Sequence, residues 1–192
     1  EPTFHKHART SCAGCQIHVL DRSAFRSDAT AVGLLGVFLA AGWDARLVFE
    51  PGRLLVGNAG ILLTRVIRVK PGAAHPFLIV DAAMNDLMRP ALYDAWHAIE
   101  AVSPRGGRMV ANVVGPVCES GDTFATARPM DEVAAGDLVL FRTAGAYAAA
   151  MSNTYNSRPL PPEVLVRGDS WALVRERTDV RADRLPDWLS RG

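Results

Sequence analysis

The chain has 192 residues, of which 49% are hydrophobic and 21% charged, an ordinary composition for a globular protein with one core or a little more. Its formal net charge is +1, so no strong electrostatic field favours a nucleic acid or a membrane surface as a partner. No apolar run is long enough to span a membrane, and the N-terminal residues lack the apolar core of a signal peptide. Three cysteines indicate a reducing compartment rather than a disulfide framework, so we expect a cytoplasmic protein.

The first fifty residues differ in pattern from the rest of the chain. Residues 24–42 are rich in Ala and Leu and end near a glycine, which predicts a helix. Residues 45–51, ARLVFEP, form a short apolar run that is rich in strand-forming residues and closed by Pro-Gly, which predicts a strand. Residues 181–192 predict a short terminal helix.

From residue 64 onward the chain contains many short apolar runs separated by turn signals. This pattern is typical of an antiparallel barrel or sandwich. Residues 85–97 predict a short helix interrupted by Pro90. We therefore expect a mixed α/β protein that is mostly β. The predicted strands cover residues 64–69, 76–84, 108–117, 137–143, 162–168 and 170–178.

A cluster of histidines and cysteines lies near the N-terminus, at His5, His7, Cys12, Cys15 and His18. Thiolates and neutral imidazoles at such spacing can close a tetrahedral zinc site. Structural zinc sites usually pair two short ligand motifs across a longer loop, whereas this cluster is compressed into one segment. Surface histidines and small buried cysteines are the simpler interpretation, and we predict no metal site.

Two segments carry residue types suited to an anionic ligand. EPGR, Glu50–Arg53, follows a predicted strand and can offer backbone N–H groups and a guanidinium to a phosphate or carboxylate. Pro-Gly is also an ordinary turn, so this segment decides nothing alone. RPALY places Arg89 and Tyr93 on one face of a helical turn, which suits either an anionic ligand or a surface pair.

Two further segments suit a reactive or closely packed site. CES, at Cys118–Ser120, has the flexible surroundings that a reactive thiol needs, whereas structural cysteines usually lie in apolar strands or helices. Tyr147 is flanked by small residues, which leave room for a ligand or for a tight packing contact.

These segments occur in an order that is informative. The chain contains EPGRLLVGNAGILLTRVIRVK, FLIVDAAMNDLMRPALYDAWH, VVGPVCESGD and DLVLFRTAGAYAAAMSNTYNSRPLPPEVLV. Together they resemble the diaminopimelate decarboxylases, pyridoxal-phosphate enzymes that make lysine, from about Leu47 to about Arg177. The ornithine and arginine decarboxylases of the same fold group typically carry Asp where this chain has Glu119, so CESGD favours the diaminopimelate branch.

The resemblance implies a carboxy-lyase that converts meso-2,6-diaminopimelate to L-lysine and carbon dioxide. Its fold would be a cofactor-binding β/α (TIM) barrel followed by a C-terminal antiparallel β-barrel domain, with residues 47–51 as the last strand of the first barrel. Residues 1–53 would be a remnant of the β/α barrel, within which residues 1–46 stay unexplained, and residues 54–192 would be the C-terminal domain. The active sites would lie at the interface of a homodimer, where the opposite protomer supplies the Cys-Glu loop.

The resemblance also implies how the cofactor, pyridoxal 5'-phosphate, is held. Glu50, Pro51, Gly52 and Arg53 would border the phosphate group of the cofactor. Tyr147 would lie against both the cofactor and the substrate.

The implied substrate contacts come from residues along the rest of the chain. Arg53 would touch the substrate, and Arg89 and Tyr93 would bind one of its carboxylates. Cys118 would donate a proton to the carbanion that remains after carbon dioxide leaves. Glu119 would receive the distal ammonium group.

The chain departs from the family in its first part. The family holds its cofactor through a lysine early in the β/α barrel, and neither Lys6 nor Lys70 lies in such a context. A faint similarity to the family's mid-barrel stretch puts Cys12 where a His is expected and Cys15 where a Ser is expected, and the glycine-rich phosphate loop is missing. Residues 1–46 are therefore an internal deletion, a misread frame or unrelated sequence.

An incomplete barrel exposes strand edges and apolar surface. We therefore expect this chain, as an incomplete form without the Schiff-base lysine, to be inactive by itself. Three alternatives stay open: a non-catalytic β domain that pairs with an intact decarboxylase, a decarboxylase for another basic amino acid, and a zinc-binding protein built on the N-terminal cluster.

Overall fold

The chain divides into two compact units, Glu1–Gly57 and Asn58–Gly192. Within the described part of the chain, every helix falls short of the length and apolar character that a bilayer span requires. The helices predicted over 24–42 and 181–192 lie outside the described residues, apart from residue 40, which is helical. The computed structural model describes residues 7–8, 16–18, 40, 48–50 and 52–178.

The described part of the first unit is a small antiparallel sheet. Strands β1 (His7–Ala8), β2 (Gln16–His18) and β3 (Val48–Glu50) lie side by side in that order, and helix α1 (Gly52–Val56) follows. β3 confirms the strand predicted over 45–51. The strands of a β/α barrel run parallel, so these antiparallel pairs do not show the expected barrel remnant, which stays a prediction.

The second unit begins after Gly57. The domain boundary predicted after residue 53 stays a prediction. Its described residues form a mainly β structure with two short α-helices. The elements are β4 (Leu62–Lys70), β5 (Phe77–Val80), α2 (Arg89–Tyr93), β6 (Ile99–Ala101), β7 (Arg108–Val114), β8 (Thr123–Asp131), β9 (Leu138–Phe141), α3 (Ala148–Met151), β10 (Glu163–Arg167) and β11 (Ser170–Arg175).

Six of these strands form one sheet in the order β6-β9-β4-β5-β7-β8, and β10 and β11 form a separate hairpin. The edge strands β6 and β8 approach each other, because Ala101 donates its backbone N–H to Oδ2 of Asp131 over 3.3 Å. The sheet is therefore a nearly closed barrel, which leaves little open edge. This confirms the expected β-barrel domain, with one exception to its antiparallel pairing: β5 and β7 run parallel.

Alternate residues of the strands fill the barrel. Leu78 and Val80 of β5 are fully buried, as are Val139 and Phe141 of β9, as the two-residue period of a strand requires. The ring centroids of Phe141 and Phe124 are 4.7 Å apart, with the rings tilted by 47°. Because Phe141 is the last residue of β9, this ring pair supports the end of the barrel from which the next loop starts.

Some elements differ from those predicted. The helix predicted over 85–97 is only α2, because Pro90 lies in its first turn, where a proline starts a helix rather than interrupting it. The strand predicted over 76–84 ends at Val80. The sequence does not predict β6, which has only three residues, or β8, in which Pro129 and charged residues obscure the strand pattern.

Chain direction decides where the functional loops lie. β5 is parallel to β7, and β4 is antiparallel to both β5 and β9. The C-terminal ends of β5, β7 and β9 therefore face the same end of the barrel. The segments that start at this end are called here the 81–88 loop, the Cys–Glu loop (residues 115–122) and the 142–157 segment.

Candidate active site

The guanidinium of Arg89 packs against two tyrosine rings. Its central carbon is 5.3 Å from the ring centroid of Tyr93 and 5.2 Å from that of Tyr147, and both distances allow a cation–π interaction. Arg89 opens α2 and Tyr93 follows four residues later, so one helical turn sets the first contact. The structure thus brings together three of the residues predicted for the site.

Tyr147 reaches Arg89 from a left-handed backbone conformation. Its φ is 70° and its ψ is −16°, directly before α3. A residue with a Cβ is disfavoured there by about 1–2 kcal/mol, and such conformations are often found at functional sites. The residue is 39% exposed, so part of the ring remains accessible to a ligand.

The Cys–Glu loop presents its thiol and its carboxylate to solvent. Cys118 is a free, exposed cysteine and Glu119 beside it is also exposed. The loop is tightly turned, since the backbone N–H of Glu119 bonds to the carbonyl of Val117 over 2.8 Å. The Glu119 carboxylate accepts hydrogen bonds from the N–H of Gly121, at 3.1 Å, and from the hydroxyl of Tyr155, at 3.5 Å.

Asp122 closes the Cys–Glu loop and is buried, with 3% of its surface exposed. Its Oδ2 accepts the backbone N–H of Val117 and its Oδ1 accepts that of Met84, both over 2.7 Å. Burial raises the pKa of this carboxyl, against the opposing effect of the two N–H donors. Asp122 is not among the site residues predicted from the sequence, although an Asp just before a strand is a usual residue for closing a turn.

Asn85 joins the 81–88 loop to the 142–157 segment. Its Nδ2 donates to the backbone carbonyls of Asn153, at 3.2 Å, and Tyr155, at 2.9 Å, and also lies 3.0 Å from Asn153 Oδ1. The backbone N–H of Asn153 donates in return to the carbonyl of Asn85, over 3.2 Å. With the Asp122–Met84 bond and the Tyr155–Glu119 contact, these bonds connect all three segments at this end of the barrel. Asn85 is likewise not predicted as a site residue, because no local sequence pattern indicates its role.

A charge pair joins the buried Asp86 of the 81–88 loop to the half-buried Arg158. Nη2 of Arg158 donates to the carbonyl of Asp81 over 2.7 Å and lies 3.5 Å from Oδ2 of Asp86. Burial raises the pKa of Asp86, although the N–H of Ala83 and the charge of Arg158 act in the opposite direction. These residues line part of a groove of about 390 Å³ that Arg177 also borders.

The predicted phosphate-binding residues belong to the first unit. Glu50 ends β3 opposite Gln16, and Gly52 and Arg53 open α1. Pro51 lies outside the described residues. Their predicted contact with the cofactor stays a prediction.

The candidate lysines and the candidate metal cluster are placed only in part. Lys70 pairs with Phe77, so it lies at the end of the barrel opposite the 81–88 loop, and Lys6 is outside the described residues. In the described part of the chain, no three His, Cys, Asp or Glu side chains are placed to hold a metal. The backbones of His7 and His18 pair across β1 and β2. The other cluster members, His5, Cys12 and Cys15, lie outside the described residues.

Comparison with known proteins identifies the family of this fold. A sequence model of the pyridoxal-dependent decarboxylases, C-terminal sheet domain, matches residues 17–145, more than half of the chain. The chain belongs to this family. The assignment confirms the resemblance carried by the four sequence segments, and it names the same sheet domain that the barrel forms.

Individual relatives are similar over the same region. The diaminopimelate decarboxylase of Zymomonas mobilis subsp. mobilis is 52% identical over 152 residues, which cover 77% of this chain and 36% of that protein. The enzyme of that name from Neisseria meningitidis serogroup A is 56% identical over 133 residues, 69% of this chain and 32% of that protein. The chain thus spans about a third of the length of these curated relatives.

Solved structures show the same similarity. Diaminopimelate decarboxylase from M. jannaschii in co-complex with L-lysine superposes with a TM-score of 0.69 at 35% identity, over 83% of this chain and 38% of that one. The enzyme from Helicobacter pylori complexed with L-lysine gives a TM-score of 0.68 at 36% identity, over 83% and 40%. The decarboxylase family and its pyridoxal cofactor are therefore as the sequence predicts.

Proposed function

We propose that this chain supplies the sheet-domain part of an enzyme that decarboxylates meso-2,6-diaminopimelate to L-lysine and carbon dioxide. The observation that carries the proposal is the guanidinium of Arg89, packed against the rings of Tyr93 and Tyr147 at the end of the barrel that also carries Cys118 and Glu119. A fixed cation, a thiol and a carboxylate together suit a substrate with both anionic and cationic groups.

The described residues are suited to contacting the substrate and the ring of pyridoxal phosphate, but not to holding this cofactor through a covalent bond. The accessible part of the Tyr147 ring, beside Gly145, can lie against a flat heteroaromatic ring. Lys70 lies at the far end of the barrel, so within the described residues no lysine is placed to bind the cofactor covalently. When bound, pyridoxal phosphate supplies the electron sink for the electrons that departing carbon dioxide leaves behind.

The residues of this chain would bind the substrate and deliver a proton. The net reaction breaks one C–C bond, releases carbon dioxide and forms one C–H bond at the same carbon. Cys118 would donate that proton as the general acid, and the thiolate would then take a proton from solvent. Arg89 would bind a substrate carboxylate through its planar fork, and Tyr93 would line the same contact. Glu119, oriented by Tyr155, would bind the distal ammonium.

We also infer that two copies share their active sites. The Cys–Glu loop is exposed in the single chain, so its thiol and carboxylate are accessible to a pocket on another copy, where they would face that copy's Arg89. We also propose that the enzyme is cytoplasmic, as the composition leads us to expect. The activity requires the cofactor-binding lysine, so the chain alone is expected to be inactive.

The test is a chimera in which residues 58–192 of this chain replace the matching segment of the Zymomonas mobilis relative. With pyridoxal phosphate and meso-diaminopimelate, the chimera is expected to release lysine, and to act poorly on ornithine and arginine. Arg89→Ala should raise KM by about tenfold to a hundredfold, the value of a charge-assisted hydrogen bond. Arg105→Ala is the matched control, because Arg105 pairs with Asp137 at the other end of the barrel.

A folded chimera that releases no lysine would contradict the proposal, as would one that prefers ornithine. If the chimera is inactive but the whole chain alters the activity of the intact relative, the non-catalytic alternative replaces the enzymatic one.

A further inference from the structure

We propose that Asp122 is a positioning residue that locks the Cys–Glu loop onto the 81–88 loop and so fixes Cys118 and Glu119 relative to the barrel that carries them. The catalytic consequence rests on the proposed function, whereas the locking contact can be tested in the chain itself. Asp122 touches neither substrate nor cofactor in this account and acts only through the loops that it holds.

The two oxygens of Asp122 divide their hydrogen bonds between two loops. Oδ2 accepts the N–H of Val117, the residue before Cys118, and Oδ1 accepts the N–H of Met84, each over 2.7 Å. A carboxylate can accept both bonds at once because it has two equivalent oxygens and no donor of its own. A single side chain therefore joins segments that are 38 positions apart at their contact.

The surroundings leave little freedom for the carboxylate. Asp122 is buried, and its own backbone pairs with that of Gly115, whose N–H donates to the Asp122 carbonyl over 2.9 Å. A Cβ added at Gly115 would collide with the Asp122 carboxylate. At Gly121, in the same loop, an added Cβ would make only ordinary contacts, the nearest to Glu119 at 3.7 Å.

The 81–88 loop, which Asp122 holds, is itself bonded to the other segments of the site. Met84 is followed by Asn85, which bonds to the backbone of Asn153 and Tyr155. The same loop leads directly into α2, whose first residue is Arg89. The position of the Cys–Glu loop is thus set against the elements that hold the arginine and both tyrosines of the site.

The experiment measures amide hydrogen exchange, residue by residue, by NMR on the whole chain. Asp122→Asn keeps the shape of the side chain but replaces one acceptor oxygen by an N–H₂ donor, so one backbone N–H faces a donor. We expect the amides of Val117 and Met84 to exchange together, faster by about tenfold or more, the effect of losing a hydrogen bond to a charged group. The amides of the core strand β9 should keep their protection.

Three further variants separate locking from general stability. Gly115→Ala keeps the charge but displaces the carboxylate, and should also release Val117 and Met84. Gly121→Ala, in the same loop, should release neither. Asp137→Asn should also release neither, because Asp137 closes a turn at the other end of the barrel by accepting the N–H of Ala134 over 2.8 Å.

Each outcome supports the proposal or overturns it. Release of both amides in Asp122→Asn and Gly115→Ala, with β9 unchanged, supports the lock. No release, release of Val117 without Met84, or a uniform loss of protection that includes β9, overturns it. If Asp122→Asn does not fold, the exchange of the Val117 and Met84 amides in Gly115→Ala alone supports or overturns the proposal.

Kinetics of the chimera test the catalytic consequence. Because Cys118 and Glu119 move with the loop, Asp122→Asn should lower kcat and raise KM together, whereas Asp137→Asn should change neither. Loop release with unchanged kinetics overturns the positioning role. Failure of the proposed function is a distinct result: the unsubstituted chimera would release no lysine, while the exchange data would still report the lock.

Discussion

At Tyr147 we expect a glycine substitution to be less destabilising than an alanine substitution, because the backbone is left-handed there, with φ at 70°. Tyr147→Ala removes the ring but keeps a Cβ in this conformation, whereas Tyr147→Gly removes both. The left-handed conformation costs a residue with a Cβ about 1–2 kcal/mol, and glycine loses about 0.4–1 kcal/mol through the greater freedom of the unfolded chain. The glycine variant should therefore be more stable than the alanine variant by roughly 1 kcal/mol.

The assay is urea unfolding of the whole chain, followed by circular dichroism. Ala149→Gly is the matched control: Ala149 is an exposed residue of α3 with no left-handed backbone, and there glycine should lower the free energy of unfolding by about 0.5–1 kcal/mol. An alanine variant at Tyr147 that equals or exceeds the glycine variant in stability would refute the left-handed conformation. The contact between Tyr147 and Arg89 would then lose its structural basis.

Two further predictions concern stability. Phe141→Ala should lower the free energy of unfolding by about 3–5 kcal/mol, because it empties a fully buried site against Phe124; a loss below about 1 kcal/mol in urea unfolding would contradict this packing. Burial raises the pKa of Asp86 above its ordinary 3.8, so the folded chain binds this proton more tightly than the unfolded chain. The contribution of Asp86 to stability is therefore greatest below the ordinary pKa and falls as pH rises through the folded value. The stability of the wild type relative to Asp86→Asn should decrease as the pH rises above about 4, and a relative stability that increases would contradict the raised pKa.

The parts of the site that the sequence predicts depend on local spacing or on motif order. Arg89 and Tyr93 are one helical turn apart, so their shared face follows from helix geometry. The residues that the sequence misses act over long separations along the chain. Asp122 bonds to a residue 38 positions away and Asn85 to one 68 positions away, and no local pattern encodes such contacts.

The same limit applies to the fold. The alternation of buried residues predicts the individual strands, but the parallel pairing of β5 with β7 follows from how separate segments meet. That pairing is what brings the 81–88 loop and the Cys–Glu loop to one end of the barrel. The site therefore depends on a topological feature that the strand pattern alone does not specify.

The central claim is that Cys118 delivers the proton that completes the reaction, and one comparison tests it most directly. In the chimera with pyridoxal phosphate and meso-diaminopimelate, kcat for lysine release is measured for Cys118→Ser and for Ser120→Ala, a neighbouring exposed position in the same loop. Cys118→Ser should lower kcat by about a hundredfold or more, the usual contribution of a positioned general acid, while Ser120→Ala leaves it unchanged. Equal kcat values for the two variants would contradict this role and show that the Cys118 thiol does not donate the proton.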